Sequence, residues 1–307
     1  MSKIIITGGA GFIGSNLAEE LVKQKHQVVV LDNLFSGRLA NLRNIKSKIR
    51  FVRGDVRSLP FLRKNFKGID YVFHLAAMSG VSLSMQKPQE SNAVNIDGTL
   101  NVFLAARDSK VKRVVFASSA SVYGMAFAIN KEEQNLKPLS PYATGKAAGE
   151  YYARNFFELF GLPTVSLRFF NVFGPRQNPD SQYAAVIPLF IKLALSNKTL
   201  TVDGDGGQSR DFTFVSNVAQ AMILAMDVPK AAGEAINIAC GDSITVNQLV
   251  QVIGKTLGKK LKVVHGKPRP GDIYRSRADI SKAKRLLGFK PQVDFEAGMK
   301  KTIDSLK

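Results

Sequence analysis

Six short apolar runs rich in β-branched residues punctuate the first 170 residues, at 3–7, 27–32, 49–52, 69–75, 112–118 and 163–169, and helical patterns separate most of them. Such alternation is what a parallel sheet covered by helices on both faces requires. The expected fold class is therefore α/β, a doubly wound parallel sheet. Beyond this region the pattern loosens. Turn-rich segments at 202–209 and 266–272 break up shorter helical stretches at 187–196, 245–257 and 280–287. We read residues 1–171 as a sheet domain and 172–307 as mainly a smaller lobe, with part of 212–240 returning to the first. With no internal repeat and no low-complexity linker, the two are expected to pack together.

The first strand runs into Gly8-Gly9-Ala10-Gly11-Phe12-Ile13-Gly14, with glycines at the first, fourth and seventh positions of the turn before a helix. Such glycines allow a tight turn, a close backbone approach to a pyrophosphate and close helix–strand packing, and the helix N-terminus adds N–H donors. The second strand ends in Asp32, eighteen residues beyond Gly14, where a carboxylate can accept hydrogen bonds from a ribose. A carboxylate there repels a 2′-phosphate, and the nearest following arginine is Arg38, so NAD is expected rather than NADP. Asp55, in Gly54-Asp55-Val56, suits either an adenine contact or a helix N-cap.

At the end of the fifth strand, Ser118-Ser119-Ala120-Ser121 places hydroxyls where ligands bind in such sheets. Ser140-Pro141 then opens a helix that carries Tyr142 and Lys146 at i and i+4, on one face. A free tyrosine has a pKa of about 10 and is a poor base near neutrality unless positive charge stabilises the phenolate. Lys146 and the positive nicotinamide of NAD+ both meet that need.

At these residues the chain resembles the extended short-chain dehydrogenase/reductases, the group of NAD-dependent nucleotide-sugar epimerases and dehydratases, over essentially its whole length. The resemblance implies a Rossmann domain with a C-terminal substrate lobe and a catalytic set of Ser119, Tyr142 and Lys146. It implies cofactor contacts from Gly8, Gly11, Phe12, Ile13, Gly14, Asp32, Asn33, Asp55, Val56, Leu75, Ala76, Ala77, Asn95, Tyr142, Lys146 and Phe169. Asn95 also reads as a polar residue that merely stabilises its helix. Substrate contacts are implied at Ser84, Ser119, Tyr142, Asn171, Ala185, Val186, Arg210, Arg269, Asp272 and Ser276. The segments that carry them are Leu167-Arg168-Phe169-Phe170-Asn171-Val172-Phe173-Gly174-Pro175-Arg176, Gly204-Asp205-Gly206-Gly207-Gln208-Ser209-Arg210-Asp211-Phe212 and Arg269-Pro270-Gly271-Asp272. In the family pattern the asparagine and arginines hold a sugar diphosphate and the aspartate a uridine ribose, while Ala185-Val186-Ile187-Pro188 lines the uracil or simply starts a helix.

Family members that eliminate water or decarboxylate carry an acid shortly after the catalytic Ser or Thr; here those positions are Ala120 and Ser121, and neither can act as a general acid. The expected reaction is 4-epimerisation of a UDP-hexose through a transient 4-keto sugar. A small residue at Ser276 leaves room for an N-acetyl group, so UDP-GlcNAc and UDP-GalNAc are expected substrates, with UDP-glucose and UDP-galactose also fitting. Alternatives are another NAD-dependent nucleotide-sugar epimerase such as a UDP-glucuronate 4-epimerase, or a non-catalytic cofactor- or RNA-binding protein on the same fold. The resemblance also suggests a homodimer through the helices near 98–107 and 142–156.

Composition narrows the remaining classes. Hydrophobic residues make up 45% and charged residues 22% of the chain, as in soluble globular proteins. No segment has the length of a membrane span, and Ser2-Lys3 lead straight into the first strand without a signal-peptide pattern, so a cytoplasmic protein without a membrane partner is expected. One cysteine, Cys240, and three scattered histidines, His26, His74 and His265, offer neither a disulfide framework nor a metal cluster. Lys and Arg number 43 against 24 acidic residues, a balance of +19, but the cations are dispersed, with no long basic run interleaved with aromatics. A basic surface suited to a diphosphate ligand is expected, and no nucleic-acid site.

Overall fold

The structure is a computed structural model that describes residues 1–125, 129–179, 185–268 and 274–307. Six strands, β1 (Lys3–Thr7), β2 (Gln27–Asp32), β3 (Ile49–Arg53), β4 (Tyr71–His74), β5 (Arg113–Ser119) and β6 (Thr164–Phe169), lie parallel in one sheet. A seventh strand, Ala235–Ile238, pairs in parallel with β6, giving the order Ala235–Ile238, β6, β5, β4, β1, β2, β3. The order reverses direction between β1 and β4, which is the doubly wound topology and opens a crevice at the carboxyl ends of those strands.

Both faces of the sheet are buried. Ile4, Ile6, Val28 and Val30 pack with Leu17 and Leu21 of α1 (Phe12–Lys23) and with Met222 of the Val215–Asp227 helix. Ile5, Val29 and Leu31 point the other way, against Phe66, Phe103 and Phe156. Near-continuous apolar strands are what a sheet buried on both sides dictates. A third cluster, around Phe173, Phe190, Phe214, Leu249 and Met299, forms the core of the later chain. Its small sheets include Leu200–Asp203 paired with Val263–Gly266 and Ser209–Arg210 paired with both Ile244–Thr245 and Arg275–Ser276. The turn-rich segments expected at 202–209 and 266–272 thus begin as strand, because backbone groups within this lobe find partners across it.

Candidate active site

The glycine turn is built as its spacing demands. Gly8 has φ +71, and a Cβ there would stand 2.7 Å from the Ala76 nitrogen; at Gly14 it would meet the Gly8 carbonyl oxygen at 2.3 Å. A side chain at either position would push the first turn of α1 away from the sheet. Gly11 is the N-cap of α1 and no side chain caps that helix, so its first N–H groups have no side-chain acceptor. The turn borders a cleft of about 300 Å³ at the carboxyl ends of the strands, lined by Gly8, Gly11, Phe12, Ile13, Gly14, Asp32, Asn33, Val56, Leu75, Ala76, Ala77, Tyr142, Lys146 and Phe169 among others. Asp32 is buried at the end of β2 and accepts hydrogen bonds from Ala10 N at 2.9 Å and Leu34 N at 2.8 Å. Burial pushes its carboxyl up and the two N–H groups pull it down. A narrow glycine-lined turn, an uncapped helix end and a ribose-height carboxylate fit a dinucleotide.

Two residues expected to touch the cofactor, Asn95 and Asp55, bond to residues that line the cleft. Asn95 is buried and clamps Met78, accepting from its N–H at 2.9 Å and donating to its carbonyl at 3.2 Å. Met78 lines the cleft, so Asn95 acts on its wall. Asp55 bonds both Nε and Nη2 of Arg57, at 2.9 and 2.8 Å, and accepts from Asn33 Nδ2 at 2.8 Å. The Arg57 hydrogen bond holds the Asp55 carboxyl down at about 2. The helix-cap alternative for Asp55 is not what forms: the following helix, Leu59–Phe66, has Ser58 at its N-cap. Arg57, Phe35 and Glu90, which drew no attention in the sequence, line the same cleft. Phe35 is 60% exposed, an apolar ring left at the mouth, and that exposure is the signal that singles it out.

Tyr142 and Lys146 occupy the first two turns of the Pro141–Phe160 helix. Ser140 Oγ caps it by accepting from Ala143 N at 3.2 Å, and Pro141 takes the first helical position, where no N–H is needed. Gly145 brings the helix close to the Asn95 turn, for a Cβ there would lie 2.7 Å from Asn95 Cβ. Lys146 is 4% exposed; its Nζ donates to the Ala117 carbonyl at 2.7 Å and lies 5.9 Å from the centre of the Tyr142 ring. Burial draws the ammonium down to about 8, and Glu150, one turn further on, opposes the shift. Burial pushes the Tyr142 phenol up, and a hydrogen bond with Ser119 pulls it down. Ser119 Oγ also accepts from Ser121 N at 3.2 Å. Beneath this set His74, pushed down to about 3 by burial, is a neutral ring bonded to Thr7 and Thr99. Glu150 bonds the hydroxyl of Ser118 and forms a buried pair with Arg168 of β6, Nη2 to Oε2 2.7 Å.

A second cleft has a volume of about 510 Å³. Phe169 lines one and Asn171 the other, two residues apart where β6 leaves the sheet. Ala185, Val186, Arg210, Gln208, Asp203 and Phe212 complete much of its wall. Asn171 has φ +32, an unusual setting for a side-chain-bearing residue, and donates through Nδ2 to the Asp211 carbonyl at 3.1 Å. Ser276 is buried and paired with Arg210 across two strands. Ser84 is buried, lines neither cleft and donates to the Val81 carbonyl at 2.7 Å. Arg269 and Asp272 lie outside the described residues. Among the described residues, no group of His, Cys, Asp and Glu could hold a metal ion and no helix is long and apolar enough to cross a membrane.

The wider likenesses of the chain agree with this geometry. It is 38% identical to a protein of Methanocaldococcus jannaschii named as a putative UDP-glucose 4-epimerase, over 99% of this chain and 98% of the other. Its fold superposes with a TM-score of 0.95 on a UDP-N-acetylglucosamine 4-epimerase from Methanobrevibacter ruminantium solved with UDP-N-acetylmuramic acid, 41% identical over 99% and 98% of the two chains. A Thermus thermophilus UDP-glucose 4-epimerase solved with NAD gives a TM-score of 0.89 at 34% identity, over 99% and 98%. Residues 4–239 match the model of the NAD-dependent epimerase/dehydratase family. NAD is the cofactor such a cleft takes, and the chain belongs to the NAD-dependent epimerase/dehydratase family.

Proposed function

We propose that the protein is a UDP-sugar 4-epimerase that interconverts UDP-GlcNAc and UDP-GalNAc, with UDP-glucose and UDP-galactose as further substrates. The observation that carries this reading is that Phe169 lines one cleft and Asn171, two residues on at the end of β6, lines the other, with Tyr142 and Lys146 in the wall of the first. A sugar diphosphate anchored in the second cleft by Asn171 and Arg210 extends its hexose towards Tyr142. Gly8, Gly11, Gly14 and Asp32 hold NAD in the first, where it supplies a reversible two-electron acceptor for sugar carbon 4 and a positive ring that favours the phenolate.

The proton steps belong to the chain. Ser119 donates or accepts a hydrogen bond at the 4-hydroxyl and orients it, and the Tyr142 oxygen takes the hydroxyl proton as the 4-keto sugar forms. Lys146, kept cationic below about pH 8, stabilises the phenolate in a setting where burial alone disfavours it. After the keto sugar turns about its diphosphate link, Tyr142 returns the proton to the oxygen on the opposite face. Ala120 and Ser121 supply no acid for elimination, in keeping with a reaction that only inverts a centre.

The preference for N-acetylhexosamines is supported by Ser276, a small side chain on the strand beside Arg210. A homodimer is part of the proposal: Tyr151 and Leu159 of the Pro141–Phe160 helix, on neighbouring faces two turns apart, are 61% and 72% exposed, an apolar pair in want of cover. The test is turnover across a panel of UDP- and dTDP-sugars. UDP-GlcNAc giving UDP-GalNAc without added cofactor is expected; turnover confined to UDP-glucuronate or to dTDP-sugars overturns the assignment.

A further inference from the structure

Asp211 lies between Arg210 and Phe212, both of which line the second cleft, yet its own side chain is fully buried and lines neither. Its Oδ1 accepts from Cys240 N at 2.9 Å, and its Oδ2 accepts from Gly241 N at 3.0 Å and from Ala278 N at 3.2 Å. Its carbonyl oxygen receives the Asn171 side chain at 3.1 Å. One residue thus ties together the turn after the Ala235–Ile238 strand, the segment that follows Arg275–Ser276 and the turn after β6.

These are the segments on which the diphosphate and sugar contacts depend. Asn171 is held at φ +32, which the chain adopts only where its surroundings fix it. Arg210 is in register with Ser276, two residues before the N–H that Asp211 holds. We infer that Asp211 is a positioning residue, whose carboxylate and carbonyl fasten Asn171, Arg210 and Ser276 in one arrangement preformed for a nucleoside diphosphate. This rests on the UDP-sugar reading of the second cleft. A carboxylate suits the task where an amide does not, because two oxygens serve three converging N–H groups, whereas an asparagine turns its NH2 against one of them. Burial pushes the carboxyl up to about 7, and the three N–H groups pull against that rise. Binding to a preformed site avoids the ordering of loops on association, so loosening the tie reads out as lost affinity.

The test compares Asp211→Asn with the unaltered protein, by calorimetric titration with UDP, by kcat and KM for UDP-GlcNAc, by the absorbance of bound NAD and by amide hydrogen exchange. The expected result is a rise of about tenfold or more in both the Kd for UDP and KM, with kcat changed by less than about threefold. Bound NAD stays unchanged, and the Cys240, Gly241 and Ala278 amides exchange faster while those of β1 and β2 keep their protection. A Kd for UDP within about twofold of the unaltered protein overturns the inference. So does loss of bound NAD together with the cooperative unfolding transition, which makes the residue one that merely maintains the fold. Failure of the unaltered protein to bind UDP overturns the UDP-sugar reading itself, and that arm separates the two failures.

Discussion

Lys146 carries its charge where water scarcely reaches, donating to a backbone carbonyl above the Phe116 ring. Because burial lowers its pKa from 10.5 to about 8, the unfolded chain binds the extra proton between those values and the folded chain does not. Stability therefore rises with pH across that window, and below about pH 8 the buried charge costs about 3 kcal/mol. Replacing Lys146 with Met removes this term. Relative to the unaltered protein, Lys146→Met should be most stable at pH 7 and lose about 3 kcal/mol of that advantage by pH 10.5, as read by urea unfolding. A difference that stays flat with pH would contradict the burial account. The pairing of Tyr142 with Lys146 is visible in the sequence as an i, i+4 spacing. Glu150 continues the same spacing by one turn, but its partner Arg168 comes from a strand, and no local pattern announces a contact between distant segments. Asp211 is hidden for the same reason: its partners are backbone N–H groups, which leave no mark on residue identity.

The elements were legible in proportion to their length and regularity. The six strands of the first 170 residues fall within a residue or two of their apolar runs, since a strand buried on both faces has no polar alternation to blur it. The fifth-strand serines and the Ser140-Pro141 helix start are likewise where capping chemistry puts them. The seventh strand is only the four residues Ala235–Ile238, and such a run becomes a strand because the open edge of β6 receives it. At this scale the exposed Tyr151 and Leu159 of the Pro141–Phe160 helix make a prediction. Leu159→Glu adds a charge at a position 72% exposed in one chain, so it should leave monomer stability within about 0.5 kcal/mol while converting a dimer to a monomer in sedimentation. An unaltered assembly in that variant would remove this helix from the interface.

Over the whole molecule, the fold separates two tasks and then joins them. The doubly wound sheet builds the first cleft from turns at the carboxyl ends of its strands, and the later lobe builds the second from short strands and helix starts. Phe169 lines one and Asn171 the other, two residues apart, and in the proposed reaction the sugar reaches from the second towards the first. The sequence disclosed the first cleft through glycines and a carboxylate, whose roles follow from backbone geometry. It disclosed the second only through likeness of motifs, because Asn171, Arg210 and Ser276 are assembled by long-range ties. In the proposed reaction Tyr142, in the wall of the first cleft, takes the proton of the sugar held in the second, and its removal tests the account most directly. In Tyr142→Phe the ring still fills its place and NAD stays bound, seen in the absorbance of the purified protein, while turnover of UDP-GlcNAc should fall by at least about a hundredfold through loss of the proton acceptor. Turnover within a few fold of the unaltered protein, with NAD still bound, would contradict it.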